Sequence, residues 1–417
     1  MKILWITNII PSIVTNSLGI KSAVIGGWIS GALDSVLKNN IDICLVFPQN
    51  IKKGLIKGNV GNVEYFGFTQ SRKSEVKYNT HLTKLFKKIL DTVSPDLVHI
   101  WGTEFPHSLA MVKAFNNPEK TVCNIQGLCT PIAANYRFEL PGSVYYGWTV
   151  RDILRFDNTY IENRKFTKKG KTERKIIKNI GNVIGRTEFD KSYTACFNPN
   201  VKYFHCNETL RNEFYENCGK WSYDLCEKHS IFVTSGSYPP KGMHKVLEAV
   251  DLVLKKYPDA KLYVTGNDPE KLPFYRMPSY YKYLCKLRKK LGLEDKIHYV
   301  GFLNAENIIK RFLNSNIFIS PSSIENSPNS VGEAMLLGVP VVASFAGGTM
   351  DMLADKKEGF LYQHNDSVML AHYICKVFEM GKNAEEIGRA ASLHASETHN
   401  AEKNEKNLLK IYKELLT

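Results

Sequence analysis

The stretch "SIENSPNSVGEAMLLGVPVVAS", residues 323–344, carries two carboxylates, Glu325 and Glu333, eight positions apart. It follows "IFISPS", which reads as a strand, so Glu325 is expected just past a strand's carboxyl end. Ser327 and Pro328 read as a helix start. Ser suits the N-cap, and Pro suits the first helical position, where its missing N–H costs nothing. Backbone N–H groups at such a start lack partners and, with the helix dipole, suit a diphosphate. Glu333 falls about one and a half turns further in, near enough to meet a neighbouring diol such as a ribose. Glu325 can reach the other side of the phosphate, where a sugar would sit. The spacing fits a nucleotide-sugar. By spacing alone it fits equally well two surface glutamates, Glu333 stabilising the first turns of its helix.

The elements that hold such loops alternate cleanly in the second half. "IFVTSG" (231–236), "KLYVTG", "IHYVGFL", "IFISPS" and "PVVAS" read as strands. Between them "GMHKVLEAVDLVLKKY", "YYKYLCKLRKKLGL", "ENIIKRFLNS" and "NSVGEAMLLG" read as helices. Apolar strands alternating with helices imply parallel strands covered on both faces, a doubly wound α/β sheet. The first half repeats the theme less regularly, with strands at 2–7, 42–47, 62–67, 97–101, 120–125, 182–186 and 201–205. Its helices fill 22–38, 80–93, 107–115 and most of 151–178. The 417 residues suit two domains of about 200 residues each. The rhythm breaks at 206–229. The expected division is an N-terminal Rossmann-like domain over 1–207, a connection at 208–229, a C-terminal Rossmann-like domain over 230–398, and a terminal helix, 399–417, returning to the first domain. Ligands of open α/β sheets sit at the carboxyl ends of strands, so the expected site is a central cleft between the two domains.

Composition narrows the class. The hydrophobic fraction is 43% and the charged fraction 23%, as in globular proteins. No apolar run approaches the roughly 20 residues needed to span a bilayer. The start, "MKILWITNII", reads as a buried strand and not as a signal peptide, so a cytoplasmic protein is expected. Nine Cys are scattered, with no CxxC and no zinc spacing. The net charge is +14; residues 1–220 hold 30 of the 55 Lys and Arg but 18 of the 41 Asp and Glu, a net +12, and the rest nets +2. That excess favours an anionic partner. No nucleic-acid module or RNP-like aromatic pattern supports a nucleic-acid binder.

"IENSPNSVGEAMLLGVPVVAS" resembles the E-x7-E signature of the retaining glycosyltransferases of the GT-B fold, family four, including those of bacterial surface-polysaccharide assembly. "AGGTMDMLADKKEGFLY" (346–362) and "GSYPPKGMHKVLEAV" (236–250) are similar to the same family's donor domain. The resemblance implies a GT-B fold, two Rossmann-like domains facing a cleft. It implies metal-independent transfer, without cofactor, of a sugar from a nucleotide diphosphate sugar, UDP-linked ahead of GDP-linked. Same-face attack is the mechanism inferred for the family. No carboxylate is an obvious nucleophile for conventional retention.

Carried over residue by residue, Glu325 would contact the donor sugar and support charge at its anomeric carbon. Glu333 would bind the ribose. Backbone groups near Asn329, Ser330 and Val331 would face sugar or phosphate, with Gly236 and Ser237 in the loop that leads to Lys241. Lys241 would meet the diphosphate as a point charge. Gly26 and Gly27 match the family's glycine pair at an N-terminal strand-to-helix loop, where backbone approaches phosphate closely. Two departures stand out. Ser237 occupies the place of a usual Arg, and Arg186 is the candidate substitute. Gln126 occupies the place of a usual His; it can hydrogen-bond a sugar hydroxyl but cannot act as a general base. A non-catalytic nucleotide-sugar sensor or assembly partner of the same fold is the competing reading, which these two departures favour and the Glu325, Lys241 and Glu333 set opposes.

The acceptor falls to the N-terminal domain. "HIWGTEFPHSLAMV" carries His99, Trp101, Thr103 and Glu104 at a strand end, suited to a sugar; His99 and Trp101 fit a satisfied core equally well. Residues 164–178 hold eight basic side chains and one acidic. They read either as a solvated helix face or as a peripheral contact with an anionic membrane. The expected acceptor is a saccharide, in particular a lipid-linked one.

Overall fold

Strands buried on both faces need apolar side chains at every position, and the chain supplies two sets of them. A computed structural model describes all residues except 21–26, 40, 71–74 and 235. The chain divides into two compact units. The first comprises 1–130, 165–210 and 399–417; the second comprises 131–164 and 211–398. Residues 131–164, which the sequence reading assigns to the N-terminal domain, cluster with the second unit.

The first unit holds strands β1 (Lys2–Ile6), β2 (Asp42–Gln49), β3 (Ile56–Val60), β4 (Val63–Thr69), β5 (Leu97–Trp101), β6 (Thr121–Asn124), β7 (Asn182–Gly185) and β8 (Lys202–His205). Their order is β3-β4-β2-β1-β5-β6-β7-β8. All neighbours pair in parallel except β3 with β4. β3 escapes the sequence pattern because "IKGNV" alternates polar and apolar residues at a sheet edge and carries Gly58. Its hairpin turns through Gly61, at φ 55°, a conformation open to Gly.

The terminal helix Ala401–Leu416 packs into this unit's core through Leu408, Ile411, Tyr412 and Leu415. Full burial of such side chains is worth roughly 1.5–3 kcal/mol each. Lys120 Nζ donates to the Leu415 carbonyl at 2.6 Å, which satisfies an orphan carbonyl of the helix end.

The second unit holds β9 (Glu227–Val233), β10 (Lys261–Val264), β11 (Ile297–Tyr299), β12 (Ser315–Ser320), β13 (Val341–Ser344) and β14 (Phe360–Tyr362). Their order is β11-β10-β9-β12-β13-β14, parallel throughout. Every residue of β12 and β13 is buried. Each unit is thus a doubly wound α/β sheet, as its strand–helix alternation predicts.

Candidate active site

Three loops leave the carboxyl ends of β9, β12 and β13, all within the second unit. The loop after β9 closes in a 3-10 turn, Pro239–Lys241, and the helix Met243–Leu254 follows. Gly242 lies between them at φ 71°. A Cβ there would fall 2.1 Å from the Pro321 carbonyl oxygen, so only Gly lets the two loops meet. The Ser323 N–H then donates to the Pro240 carbonyl at 2.7 Å.

This seam brings Lys241 Nζ onto Glu325 Oε1 as an ion pair. Ser322 Oγ donates to the same oxygen at 2.6 Å, and Ser344 Oγ donates to the Ser322 carbonyl. Burial works against the charge of Lys241, but Glu325 outweighs it and holds the ammonium above its ordinary pKa. The loop after β13 covers the other side. At Gly347, φ 57°, a Cβ would clash with the Glu325 carbonyl oxygen at 1.9 Å, and the Gly348 N–H donates to that oxygen at 3.1 Å. Glu325 is therefore fixed by side chain and backbone from three loops.

Past Glu325 the helix Asn329–Leu337 begins. Pro328, with ψ at 116°, is its N-cap. The expected cap, Ser327, lies one residue outside and donates to Met352 Sδ at 3.5 Å. The Val331 and Gly332 N–H groups bond the Pro328 carbonyl. Those of Asn329 and Ser330 meet no acceptor among the described residues, as is usual for the first N–H groups of a helix. Two buried polar atoms have no partner here: Asn329 Oδ1 and Thr349 Oγ1. Such atoms are commonly satisfied by a ligand or water. Thr349 carries no motif of its own, beyond lying in the "AGGTMD" run.

Glu333 is 7% exposed. Burial raises its pKa, and Arg211 opposes the rise. Arg211 donates from Nε at 3.0 Å and from Nη2 at 2.7 Å, both to Oε1. Arg211 sits in the irregular connection, where no spacing signal marks it. Gly236 packs against Met243, and Ser237 is exposed. Gly27 opens the helix Gly27–Leu37; Gly26 lies outside the described residues.

Several expected site residues lie in the first unit and do other work. Arg186 is 7% exposed and pairs through Nη1 with Glu208 Oε2 at 2.6 Å. Its Nη2 is 3.4 Å from the Ile125 and Gln126 carbonyls. Its charge is met by Glu208 within the first unit. Gln126 Nε2 donates to Asn124 Oδ1 at 2.9 Å and to Glu208 Oε1 at 2.7 Å, which occupies both amide protons.

His99, Trp101 and Thr103 are core and not surface, at 0%, 2% and 0% exposure. His99 stacks on Trp101 with ring centroids 4.4 Å apart and meets Tyr412 Oη at 2.6 Å through Nδ1. Burial drives its pKa down to about 3, so it stays neutral. Thr103 Oγ1 donates to Glu173 Oε2 at 3.2 Å. His99 and Thr103 are therefore core residues and not exposed acceptor ligands, while Trp101 lines a small cavity with Asn124 and Glu208. Glu104 is only partly buried. It accepts from Asn8 Nδ2 at 3.2 Å, and desolvation raises its pKa to about 7. Asn8 and Phe105 line a cavity of about 490 Å3 in the first unit, with Gln49, Asn50 and Gln70.

Among the described residues no cluster of three His, Cys, Asp or Glu side chains is arranged to hold a metal. No helix among them is long and apolar enough to cross a membrane.

Residues 220–394 match the family model described as glycosyl transferases group 1. An uncharacterized glycosyltransferase of Haemophilus influenzae is 28% identical over 141 residues, 34% of this chain and 36% of that protein. The sulfoquinovosyl transferase SQD2 of Arabidopsis thaliana is 28% identical over 153 residues, 36% of this chain and 27% of its own length. The matched part thus spans well under half of either relative. Among solved structures, sucrose-phosphate synthase from Thermosynechococcus elongatus aligns over 100% of this chain and 99% of its own, with TM-score 0.69 and 14% identity. Anabaena HepE in complex with UDP aligns over 99% and 100%, with TM-score 0.66 and 17% identity. These likenesses show the fold, a GT-B chain of two Rossmann-like units.

Proposed function

We propose that this chain, whose residues 220–394 match the model of the glycosyl transferases group 1 family, moves a sugar from a nucleotide diphosphate sugar to a saccharide acceptor with retention. The carrying observation is the meeting of Lys241 and Glu325, from two separate strand-end loops, at the start of the helix Asn329–Leu337. In this reading the Asn329 and Ser330 N–H groups and Lys241 take the diphosphate and stabilise it as it leaves. Glu325 positions the sugar and supports its cation-like charge. Glu333 receives the ribose hydroxyls, its carboxylate oriented by the ion pair with Arg211. The diphosphate and Glu325 compete for one ammonium, so donor binding loosens the ion pair as it forms the reacting site.

UDP is the favoured nucleotide. Anabaena HepE, of the same fold, has been solved with UDP-glucose. The transfer is proposed as metal-independent, with the lysine and the helix start serving the diphosphate. A lipid-linked acceptor, in bacterial surface-polysaccharide assembly, is supported by the basic first half. Arg164, Lys168, Lys171, Arg174, Lys175 and Lys178 of the basic segment are all exposed, as a peripheral contact there requires.

The test is a thermal-shift and hydrolysis screen against UDP-, GDP-, ADP- and CMP-sugars, with and without EDTA. Stabilisation by the UDP series with slow, EDTA-insensitive donor hydrolysis is expected. Stabilisation by none of the four would contradict the reading.

A further inference from the structure

The second unit carries an apolar surface that its own core does not use. The helix Val150–Arg155 opens with a capping box: Thr149 Oγ1 accepts from the Asp152 N–H at 3.2 Å, and Asp152 Oδ2 accepts from the Thr149 N–H at 3.1 Å. Asp152 is wholly buried. Its Oδ2 also accepts from the Ser279 N–H at 3.1 Å, and Ser279 Oγ lies 3.1 Å from Thr159 Oγ1. The helix is thus anchored through its carboxylate. Its apolar side chains point the other way: Ile153, Leu154 and Phe156 are 64%, 75% and 70% exposed. Trp148 lies 5.6 Å from Phe156, centroid to centroid. The turn Phe274–Arg276 packs beside this helix and adds Phe274, 75% exposed, and Tyr275. A rigidly held group of large exposed apolar side chains marks an interaction surface.

Charge identifies the partner. The helix Ser279–Lys290 starts at the anchoring Ser279 and exposes Lys282, Lys286, Lys289 and Lys290, a spacing that lines one face. Arg155, Lys271 and Arg276 are exposed beside the apolar residues. None of these cations makes an ion pair among the described residues, whereas the neighbouring Asp157 is taken by Arg151, and Asp268 and Glu270 by Arg288. Apolar and aromatic side chains rimmed by unpaired cations suit the interface of an anionic bilayer. A second copy of the chain seated two-fold on the same surface would bring like charges together. We propose that residues 148–156 and 274–276 insert into the headgroup layer of an anionic membrane, with the lysines of Ser279–Lys290 meeting its phosphates. This stands without the sugar-transfer reading.

The full chain is floated with vesicles of phosphatidylcholine alone and with added phosphatidylglycerol. Flotation with the anionic vesicles only, weakened by salt, is expected. Leu154→Ser with Phe156→Ser, and separately Lys282→Glu with Lys286→Glu, should each lower partition on the order of tenfold. An unchanged melting temperature shows that these variants fold. No flotation of the parent chain overturns the proposal. So does flotation that survives both variants but is lost on Lys168→Glu with Lys171→Glu, which would move the contact to the other basic helix. A concentration-dependent dimer, broken by Leu154→Ser without any flotation, would assign the surface to a second copy and also overturns it.

Discussion

The two sheets end differently at corresponding places. After β12 the chain runs through 321–328 before its helix begins, and Glu325 hangs in that loop. After β5 only 102–105 intervene, and His99 and Trp101 are still in the ladder, paired with β1 and β6. A polar residue beyond the last ladder bond can be presented to a ligand, as Glu325 is, or turned inward, as Thr103 is. One before it is committed to a face of the sheet, and here both faces are covered. The same residue types can therefore read as a site in either unit, while in the first His99 and Trp101 are held in the ladder.

The comparison breaks most visibly at His99. His99→Ala removes a buried ring and the bond to Tyr412, and should destabilise the chain by about 2–4 kcal/mol while acceptor KM stays within about twofold. A raised KM with unchanged unfolding would put His99 back in the acceptor site. Gly347→Ala should cost about 1–3 kcal/mol and also impair transfer, because its Cβ would push on the Glu325 carbonyl. Gly292→Ala has a similar φ, 63°, and nothing within 4 Å, so it isolates backbone strain and should leave transfer intact. Equal transfer in the two variants would show that the loop does not hold Glu325.

Arg211→Ala should weaken donor binding by about tenfold, more at acidic pH. Burial then raises the Glu333 pKa unopposed, and the protonated form is a poorer acceptor for ribose hydroxyls. A loss independent of pH would contradict this. The smallest effect is at Glu104. Its folded pKa, about 7, exceeds the ordinary value, so between roughly pH 4.5 and 7 the folded state holds a proton that the unfolded chain has released. Stability from this group is full below that window and falls as pH rises through it. Glu104→Gln should flatten that part of the melting-temperature profile; an unchanged slope would show that the fall comes from elsewhere.

The sheets were legible because buried parallel strands leave little choice of residue: "IFISPS" and "PVVAS" read as strands from composition alone. The strand-end places of Lys241 and Glu325 and the helical place of Glu333 were legible because loop composition and motif coincide, although the cap fell on Pro328 and not on Ser327. Arg211 was not, since its role comes from a fold contact with Glu333, 122 positions away. Nor was the fate of Arg186, since Glu208 reaches it from beyond β8. His99 and Trp101 left two readings open because the sequence does not show that the terminal helix would bring Tyr412 against them.

The most direct test compares Glu325→Ala with Glu333→Ala, measuring transfer rate and donor affinity in each. Glu325→Ala should lose transfer by about two to three orders of magnitude while largely keeping donor binding, and Glu333→Ala should chiefly weaken binding. Equal turnover in the two variants would contradict the assignment of Glu325 to the reacting sugar and Glu333 to the ribose.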